Sequence, residues 1–326
     1  MREGLFIKKN IDKWKKYQYE NTSDPDEMAQ QFTELVNDLG YSKTFYPHSK
    51  VTQYLNDLAS RIYLNIYKNK REETSRIARF WKTELPLTVR KHHREILYAF
   101  LIFIGFAIMA AFSAAHDESF VRGVLGDSYV EMTEENIAKG DPFGVYKSTN
   151  PLNMFFYIAL NNIYISFQVF VWGLFLGLGS VYELFINGIM VGSFQYYFFA
   201  KNLGWPSVLV IWTHGTLEIS AIILSGAAGI IIGNSILFPG SHKRLHSLMQ
   251  GAKDGLKIMV AMVPILLTAA FFEGFVTRYS YSAMPHWLTV FILVASLTFI
   301  LWYFVWYPIQ VQRKVNAAKI AGSANE

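Results

Sequence analysis

Long apolar runs dominate the chain after residue 95 and constrain its fold more than any other feature. Six such runs follow one another in this part of the chain. Because a helix rises about 1.5 Å per residue, each run is long enough to cross the ~30 Å hydrocarbon core of a bilayer. The predicted spans are Ile96–Ala114, Met154–Ser180, Val181–Ala200, Val208–Ile232, Leu256–Phe275 and Trp287–Tyr307. The sequence therefore predicts an all-α, polytopic membrane protein with six transmembrane helices.

The region before the first span has a different composition. Residues 1–95 contain 18 basic and 13 acidic residues and no apolar run of membrane-spanning length. Apolar residues recur there at three- and four-residue steps, which indicates amphipathic helices. The first example is the set Phe6, Ile7, Ile11, Trp14 and Tyr17. The predicted domains are a cytoplasmic helical head over 1–95, a six-helix transmembrane domain over 96–310 and a cytoplasmic tail over 311–326.

The distribution of basic residues predicts the orientation in the membrane. An even number of spans places both termini on one side, and the basic clusters that flank the spans fall on that same side. These clusters are Arg90, Lys91 and Arg94, then Lys243, Arg244, Lys253 and Lys257, and finally Arg313, Lys314 and Lys319. Since basic residues are enriched in cytoplasmic loops, both termini are predicted to be cytoplasmic, in the cytoplasmic (inner) membrane.

The segment over 115–150 is predicted to lie outside the cytoplasm. It contains three basic and seven acidic residues, a net charge of −4. Its length suits a docking surface for envelope proteins. The opposite, cytoplasmic bend between the second and third predicted spans is expected to hold Glu183 and Asn187 as helix-capping residues.

Composition and missing motifs exclude several functions. The chain has no cysteine, so mechanisms that require a thiolate are excluded. Gly177 and Gly179 lack the third glycine and the strand context of a dinucleotide-binding loop. The basic residues of the head are interleaved with acids, so we expect no nucleic acid partner. We expect membrane lipid as the surrounding partner and no cofactor.

Glycines at four-residue spacing predict close helix packing. Inside a membrane, small residues let helix backbones approach, and dispersion then holds the helices together. The candidate residues are Gly173, Gly177, Gly188, Gly192, Gly226, Gly229 and Gly233. The sequence leaves two interpretations open: packing within one chain, or the seam of the homodimer that we expect.

A few polar residues inside the predicted spans form the candidate site. His214 and Glu218 lie four residues apart and so share one face of the fourth span. Asn161 and Asn162 of the second span and Glu273 of the fifth are predicted at a similar depth, in the outer half of the bundle. Ionisable groups are costly at such depths, by about 2.5–3.5 kcal/mol each on insertion scales. We therefore expect these five residues to face one another.

This polar cluster has three interpretations on sequence grounds. It can be a structural hydrogen-bond network, which we favour, a conduction or transport site in which the carboxylates share a proton or bind a cation with His214, or a metal or catalytic site. His214 and Glu218 have a spacing that permits zinc ligation, but the HExxH pair and an obvious third ligand are missing. No metal site is therefore assigned from the sequence.

Several motifs resemble the stage II sporulation protein M family of membrane proteins. In the membrane part they are His214-Gly215 with Glu218, the small residues Ser225, Gly226, Gly229 and Gly233, and the stretch from Ala269 to Phe275. In the head they are Phe6-Ile7, Trp14, and Leu85-Pro86 followed by Arg90. The resemblance implies a polytopic cytoplasmic-membrane protein that is not an enzyme. Its namesake works with peptidoglycan-cleaving partners during engulfment in spore formers and anchors them at the membrane.

The sequence thus predicts a non-enzymatic membrane scaffold for a cell-envelope assembly, engaged in peptidoglycan remodelling or a related process. A membrane transporter or channel that uses the polar cluster is the alternative. The two differ in one observable property, because a transporter needs a continuous polar path whereas a scaffold can keep the cluster dry and mutually hydrogen-bonded.

Overall fold

The structure is a computed structural model that describes residues 2–19, 22, 24–68, 76–147, 150–281 and 284–323. The chain divides into two compact units, one that ends at Ile77 and one that begins at Ala78. Every regular element within the described residues is helical, which confirms the predicted all-α class.

The first unit contains three helices, α1 (Glu3–Tyr19), α2 (Pro25–Phe45) and α3 (Lys50–Lys68). Their apolar faces meet in one core that includes Phe6, Leu35 and Leu55. Trp14 lies at the centre of this core, fully buried, and its Nε1 donates a hydrogen bond of 2.8 Å to Asp38 Oδ2. This indole is therefore both the largest buried side chain of the unit and a polar link between α1 and α2.

Twelve further helices follow along the described chain. They are α4 (Arg76–Arg79), α5 (Leu85–Lys91), α6 (His93–His116), α7 (Glu118–Leu125), α8 (Asp127–Ala138), α9 (Pro151–Val171), α10 (Leu178–Ala200), α11 (Gly204–Leu237), α12 (Arg244–Phe271), α13 (Arg278–Ser280), α14 (His286–Leu301) and α15 (Tyr307–Ser323). Short π-helical turns at Phe80–Glu84, Phe272–Thr277 and Trp302–Trp306 join α4 to α5, α12 to α13 and α14 to α15. Turns of 3-10 helix lie at Gly144–Lys147 and Trp172–Leu174. The predicted tail is helical as far as Ser323, and its last three residues lie outside the described ranges.

Five helical segments of the described chain are long and apolar enough to cross a membrane. They are His93–His116, Pro151–Leu174, Gly204–Leu237, Arg244–Thr277 and His286–Ala318. They coincide with five of the six predicted spans. The remaining predicted span, Val181–Ala200, corresponds to α10. This helix has 23 residues but is not among the five membrane-length apolar segments. Its apolar face is interrupted by Glu183, Asn187 and Gln195, which lower its hydropathy.

The bend between α9 and α10 lies earlier than predicted. The sequence interpretation continued one span to Ser180, but α9 ends at Val171 and α10 begins at Leu178. The chain reverses at Leu176 and Gly177, whose φ angles are 56° and 81°. Glycine adopts this left-handed conformation without a steric cost, which explains why the turn ends there. Glu183 and Asn187, expected in the bend, are instead inside α10.

Helix α11 is the centre of the bundle. It packs against α6, α9, α10, α12 and α14. Small residues occupy much of its surface, and Ser225, Ala227, Ala228 and Gly229 are completely or almost completely buried. Small side chains leave room for the neighbouring backbones, so five helices can surround one.

The structure places all seven candidate glycines at contacts within this chain. Gly173 and Gly177 lie against the backbones of Gly229 and Gly233, and Gly229 also meets Ser180. Three other contacts complete the set: Gly188 with Phe103, Gly192 with Ala107 and Gly226 with Leu184. Because each position contacts a helix of the same chain, the structure supports the interpretation of packing within one chain.

The segment between α6 and α9 folds against one end of the bundle. Phe143 stacks on Phe198 of α10 with ring centroids 5.5 Å apart, and Val130 is buried in the same cluster. Lys201 Nζ lies 2.8 Å from Glu134 Oε1, and this hydrogen bond lowers the pKa of Glu134. The carboxylate therefore stays ionised and paired with Lys201 under mildly acidic conditions. The segment is a folded cap and not a loose loop.

Helix α5 packs against the end of the bundle opposite this cap. Residues 78–95, which the sequence interpretation placed in the head, belong to the second unit. Lys91 Nζ lies 2.7 Å from Asp254 Oδ2 of α12, and the Tyr303 hydroxyl donates a hydrogen bond of 2.8 Å to the Trp81 carbonyl. Leu85 and Val89 of α5 are buried in the bundle core.

Candidate functional site

The candidate site starts from two residues on the central helix. His214 and Glu218 lie one turn apart on α11 and so project from the same face. His214 is 3% exposed, whereas Glu218 is partly exposed. A helix face that carries both groups needs polar partners from its neighbours, because an unpaired polar group in an apolar surrounding costs several kcal/mol.

Helix α12 supplies polar partners for this face of α11 at the point where its helical register changes. After Phe271 the backbone of α12 widens into the π-helical turn Phe272–Thr277. This turn carries Glu273 and, four residues later, Thr277. Thr277 Oγ1 lies 2.9 Å from His214 Nδ1. Single π-helical turns inside α-helices are frequent at functional sites, because they redirect side chains that a regular helix would place elsewhere.

A glycine within the same turn allows a third helix to come close. A Cβ atom added to Gly274 would lie only 3.2 Å from the Pro151 carbonyl at the start of α9. Further along α9, Asn162 Nδ2 donates a hydrogen bond of 2.5 Å to Glu218 Oε1. Asn161 lies at the edge of the group: it is exposed, and its Nδ2 is 3.4 Å from Asn162 Oδ1.

The ionisable groups converge on one point. The ligand atoms offered by His214, Glu218 and Glu273 all lie within 4.8 Å of one another. Two carboxyl groups, those of Glu218 and Glu273, are thus brought to the same point. Neighbouring carboxylates in an apolar surrounding repel each other unless a proton or a cation neutralises them, and no lysine or arginine of the described chain forms an ion pair with either group. We call His214, Glu218, Glu273 and Asn162 the carboxylate–histidine cluster.

Sequence reasoning missed Thr277. The sequence feature that could have identified Thr277 is its position four residues after Glu273, because residues at this spacing share one face of a regular helix. A threonine inside an apolar segment is also common as a structural residue, so the spacing alone could not show whether Thr277 belongs to the site. The five residues that were singled out include four that the structure brings together and Asn161, which borders them.

A separate apolar groove lies between α6 and α14 with α11 as its floor. Its volume is about 800 Å³, and the lining includes Phe100, Ile108, Ile219 and Leu297. Cavities of ~300–1,000 Å³ are typical of small-ligand sites. The lining is mostly apolar, so the groove suits lipid chains or another helix.

The fold and the cluster together define a class of protein. A bundle of apolar, membrane-length helices that encloses ionisable groups between three of its members is a helical membrane protein. The chain belongs to the Stage II sporulation protein M family, whose sequence model matches residues 99–278. This confirms the resemblance seen in the membrane part of the sequence, whereas the head motifs at Phe6-Ile7, Trp14 and Leu85-Pro86 lie outside the matched range. The range includes the whole carboxylate–histidine cluster.

Further comparisons add two findings. Residues 4–68 match the sequence model of a domain of unknown function, DUF8413. The uncharacterized protein MJ0706 of Methanocaldococcus jannaschii is 20% identical over 190 residues, which cover 57% of this chain and 83% of that protein. No solved structure matches the chain.

Proposed function

We propose that this protein is a non-enzymatic scaffold in the cytoplasmic membrane that holds a cell-envelope assembly in place, in peptidoglycan remodelling or a related process. Family membership supports a membrane role, and the observation that carries the scaffold role is the folded cap formed by α7, α8 and the turn at Gly144–Lys147. A rigid cap fixed to a membrane bundle is what an anchoring surface requires, because a partner then docks without the cost of ordering a loop.

The proposed topology has six spans and both termini in the cytoplasm. Helix α10 serves as the sixth crossing, since its 23 residues cover about 34 Å. Lys91 and Asp254 meet at one end of the bundle, and Lys201 and Glu134 meet at the other. The basic clusters favour the first end as cytoplasmic, so the acidic cap lies outside.

The docking surface that we propose is an exposed stripe on α8. Ser128, Glu131, Met132 and Glu135 recur at three- and four-residue steps and are all exposed. The opposite face of α8 buries Val130 against the bundle. Two acids beside an exposed methionine form a surface suited to a basic partner with an apolar contact at its centre.

A cysteine placed on this stripe tests both the topology and the docking role. The chain has no cysteine, so Ser128→Cys carries a single reactive thiol. We expect a membrane-impermeant, cysteine-reactive photocrosslinker to label it in intact cells and, after irradiation, to join it to another envelope protein. Ser241→Cys, in the exposed turn before α12, is the matched control and should react only after the membrane is permeabilised. An unlabelled Ser128→Cys protein contradicts the topology, and labelling without any protein adduct contradicts the docking role.

Self-association belongs to the same proposal. We propose a homodimer, as the sequence interpretation expected, but with a seam other than the glycine contacts, which are filled within the chain. The apolar groove between α6 and α14 offers such a surface. A crosslinked product of twice the chain mass from a probe at Leu297 supports this seam.

Transport is the second candidate, and the carboxylate–histidine cluster favours it. Three ionisable side chains in one place can pass a proton or hold an ion. In liposomes that contain the purified protein, the scaffold proposal expects proton flux no greater than in protein-free liposomes. Flux that the wild-type protein supports and Glu273→Gln abolishes would instead establish transport. Glu183→Gln, which removes a carboxyl group from α10, is the matched control.

A further inference from the structure

The carboxylate–histidine cluster has the donor set of a metal site. An imidazole nitrogen and carboxylate oxygens are the ligands that zinc accepts besides thiolates. Three protein ligands with one open position is the arrangement found when zinc also binds water or another molecule. His214, Glu218 and Glu273 supply this number and these types.

The geometry brings the donors within reach of a single ion. At metal–ligand distances of about 2.0–2.2 Å, two ligands of one ion stand no more than about 4 Å apart. The three ligand atoms lie within 4.8 Å of one another, so small side-chain adjustments close the remaining gap. His214 and Glu218 come from one helix face and Glu273 from the π-helical turn of another, so the site exists only in the folded bundle.

The charge of the cluster calls for a cation. Ionisation of both carboxylates, whose oxygens lie within 4.8 Å of each other in a largely apolar surrounding, is unfavourable without a positive charge beside them, because their negative charges repel. Within the described residues neither Glu218 nor Glu273 has a lysine or arginine partner. A proton neutralises one negative charge, whereas a divalent ion neutralises both.

Two hydrogen bonds hold the donors in position. Thr277 Oγ1 meets His214 Nδ1 at 2.9 Å, and Asn162 Nδ2 donates to Glu218 Oε1 at 2.5 Å. Metal-binding histidines and carboxylates almost always have such outer partners, which fix ring and carboxylate orientation. Thr277 and Asn162 are therefore positioning residues.

We infer that His214, Glu218 and Glu273 bind one divalent transition-metal ion, with zinc as the ion that this donor set fits best. The inference goes beyond the scaffold role and does not depend on it. The bound ion would tie α11 to the end of α12 and stabilise the bundle at the point where the helix register changes.

Zinc binding to the full-length, metal-stripped protein tests the site. The exposed pair His242 and His246, with ring centroids 5.3 Å apart, is a competing surface site, so the measurement uses a His246→Gln background. We expect one zinc ion per chain in a competition titration with a chromophoric chelator, and a higher melting temperature when zinc is added. Glu273→Gln should lower the affinity at least tenfold, while Glu183→Gln should leave it unchanged.

A second pair of variants separates positioning from a general structural effect. Thr277→Val removes the hydroxyl group that orients His214 and should weaken zinc binding by about 10-fold or more. Thr277→Ser keeps the hydroxyl group and should bind as the wild type does. Both variants should melt near the wild-type temperature in the absence of metal.

Three results would overturn the inference. The first is a protein that binds no zinc in the His246→Gln background, and the second is a Glu273→Gln protein with wild-type affinity and stoichiometry. The third is an equal loss of affinity in Thr277→Ser and Thr277→Val. None of these results bears on the Ser128→Cys test, so the site and the scaffold role fail independently.

Discussion

Leucine at both Gly229 and Gly233 is expected to prevent the membrane unit from reaching its native packing. A side chain added at Gly229 meets the Ser180 side chain and the Val169 carbonyl, and one added at Gly233 meets the Gly177 backbone. Overpacking usually costs about 1–3 kcal/mol per site. Here we expect a loss of stability at or above the upper end of this range at each site, because α9 and α10 must both move away from α11.

Thermal melting followed by size-exclusion chromatography measures this effect in detergent. The double variant should aggregate or melt far below the wild type. Gly105→Leu is the matched control, since Gly105 lies in α6 with nothing within 4 Å of an added Cβ. A double variant that elutes and melts like the wild type would refute close backbone approach as the basis of packing.

The second large effect is expected in the head. Trp14→Ala removes a fully buried indole and its hydrogen bond to Asp38. Phe or Trp to Ala changes in cores cost about 3–5 kcal/mol, from lost burial and the cavity left behind. This is a large part of the stability of a three-helix unit, so we expect α1, α2 and α3 to open together.

Hydrogen–deuterium exchange on the full chain detects this opening. Peptides from the head should exchange roughly a hundredfold to several thousandfold faster in Trp14→Ala, which corresponds to the same free energy. Peptides from α11 should be unchanged, because they belong to the other unit. Tyr19→Ala, which truncates a side chain that is 76% exposed on the same helix, should have no effect. Equal exchange in the Trp14 and Tyr19 variants would show that the indole does not organise the head.

Several features of the cluster could be predicted from residues alone, and others could not. The four-residue spacing of His214 and Glu218 places them on one helix face in any helix, so their proximity follows from local geometry. Glu273 was recognised as an ionisable group in an apolar segment, but its distance to Glu218 depends on how α12 is rotated against α11. Thr277 reaches His214 from the π-helical turn that follows Phe271, and the sequence does not reveal that turn.

Helical class and the positions of five apolar membrane-length segments could be determined from the sequence by itself, because hydropathy and periodicity are properties of neighbouring residues. The family was indicated by the resemblance of its motifs. The sequence predicted that Glu273 faces His214 and Glu218, but the tertiary structure alone decided how close the three groups lie, where α9 turns into α10 and which atoms each glycine meets. Those outcomes depend on helix rotation, on left-handed backbone at Leu176 and Gly177, and on one widened helical turn. Such features arise when distant segments pack, so the pattern along the chain does not contain them.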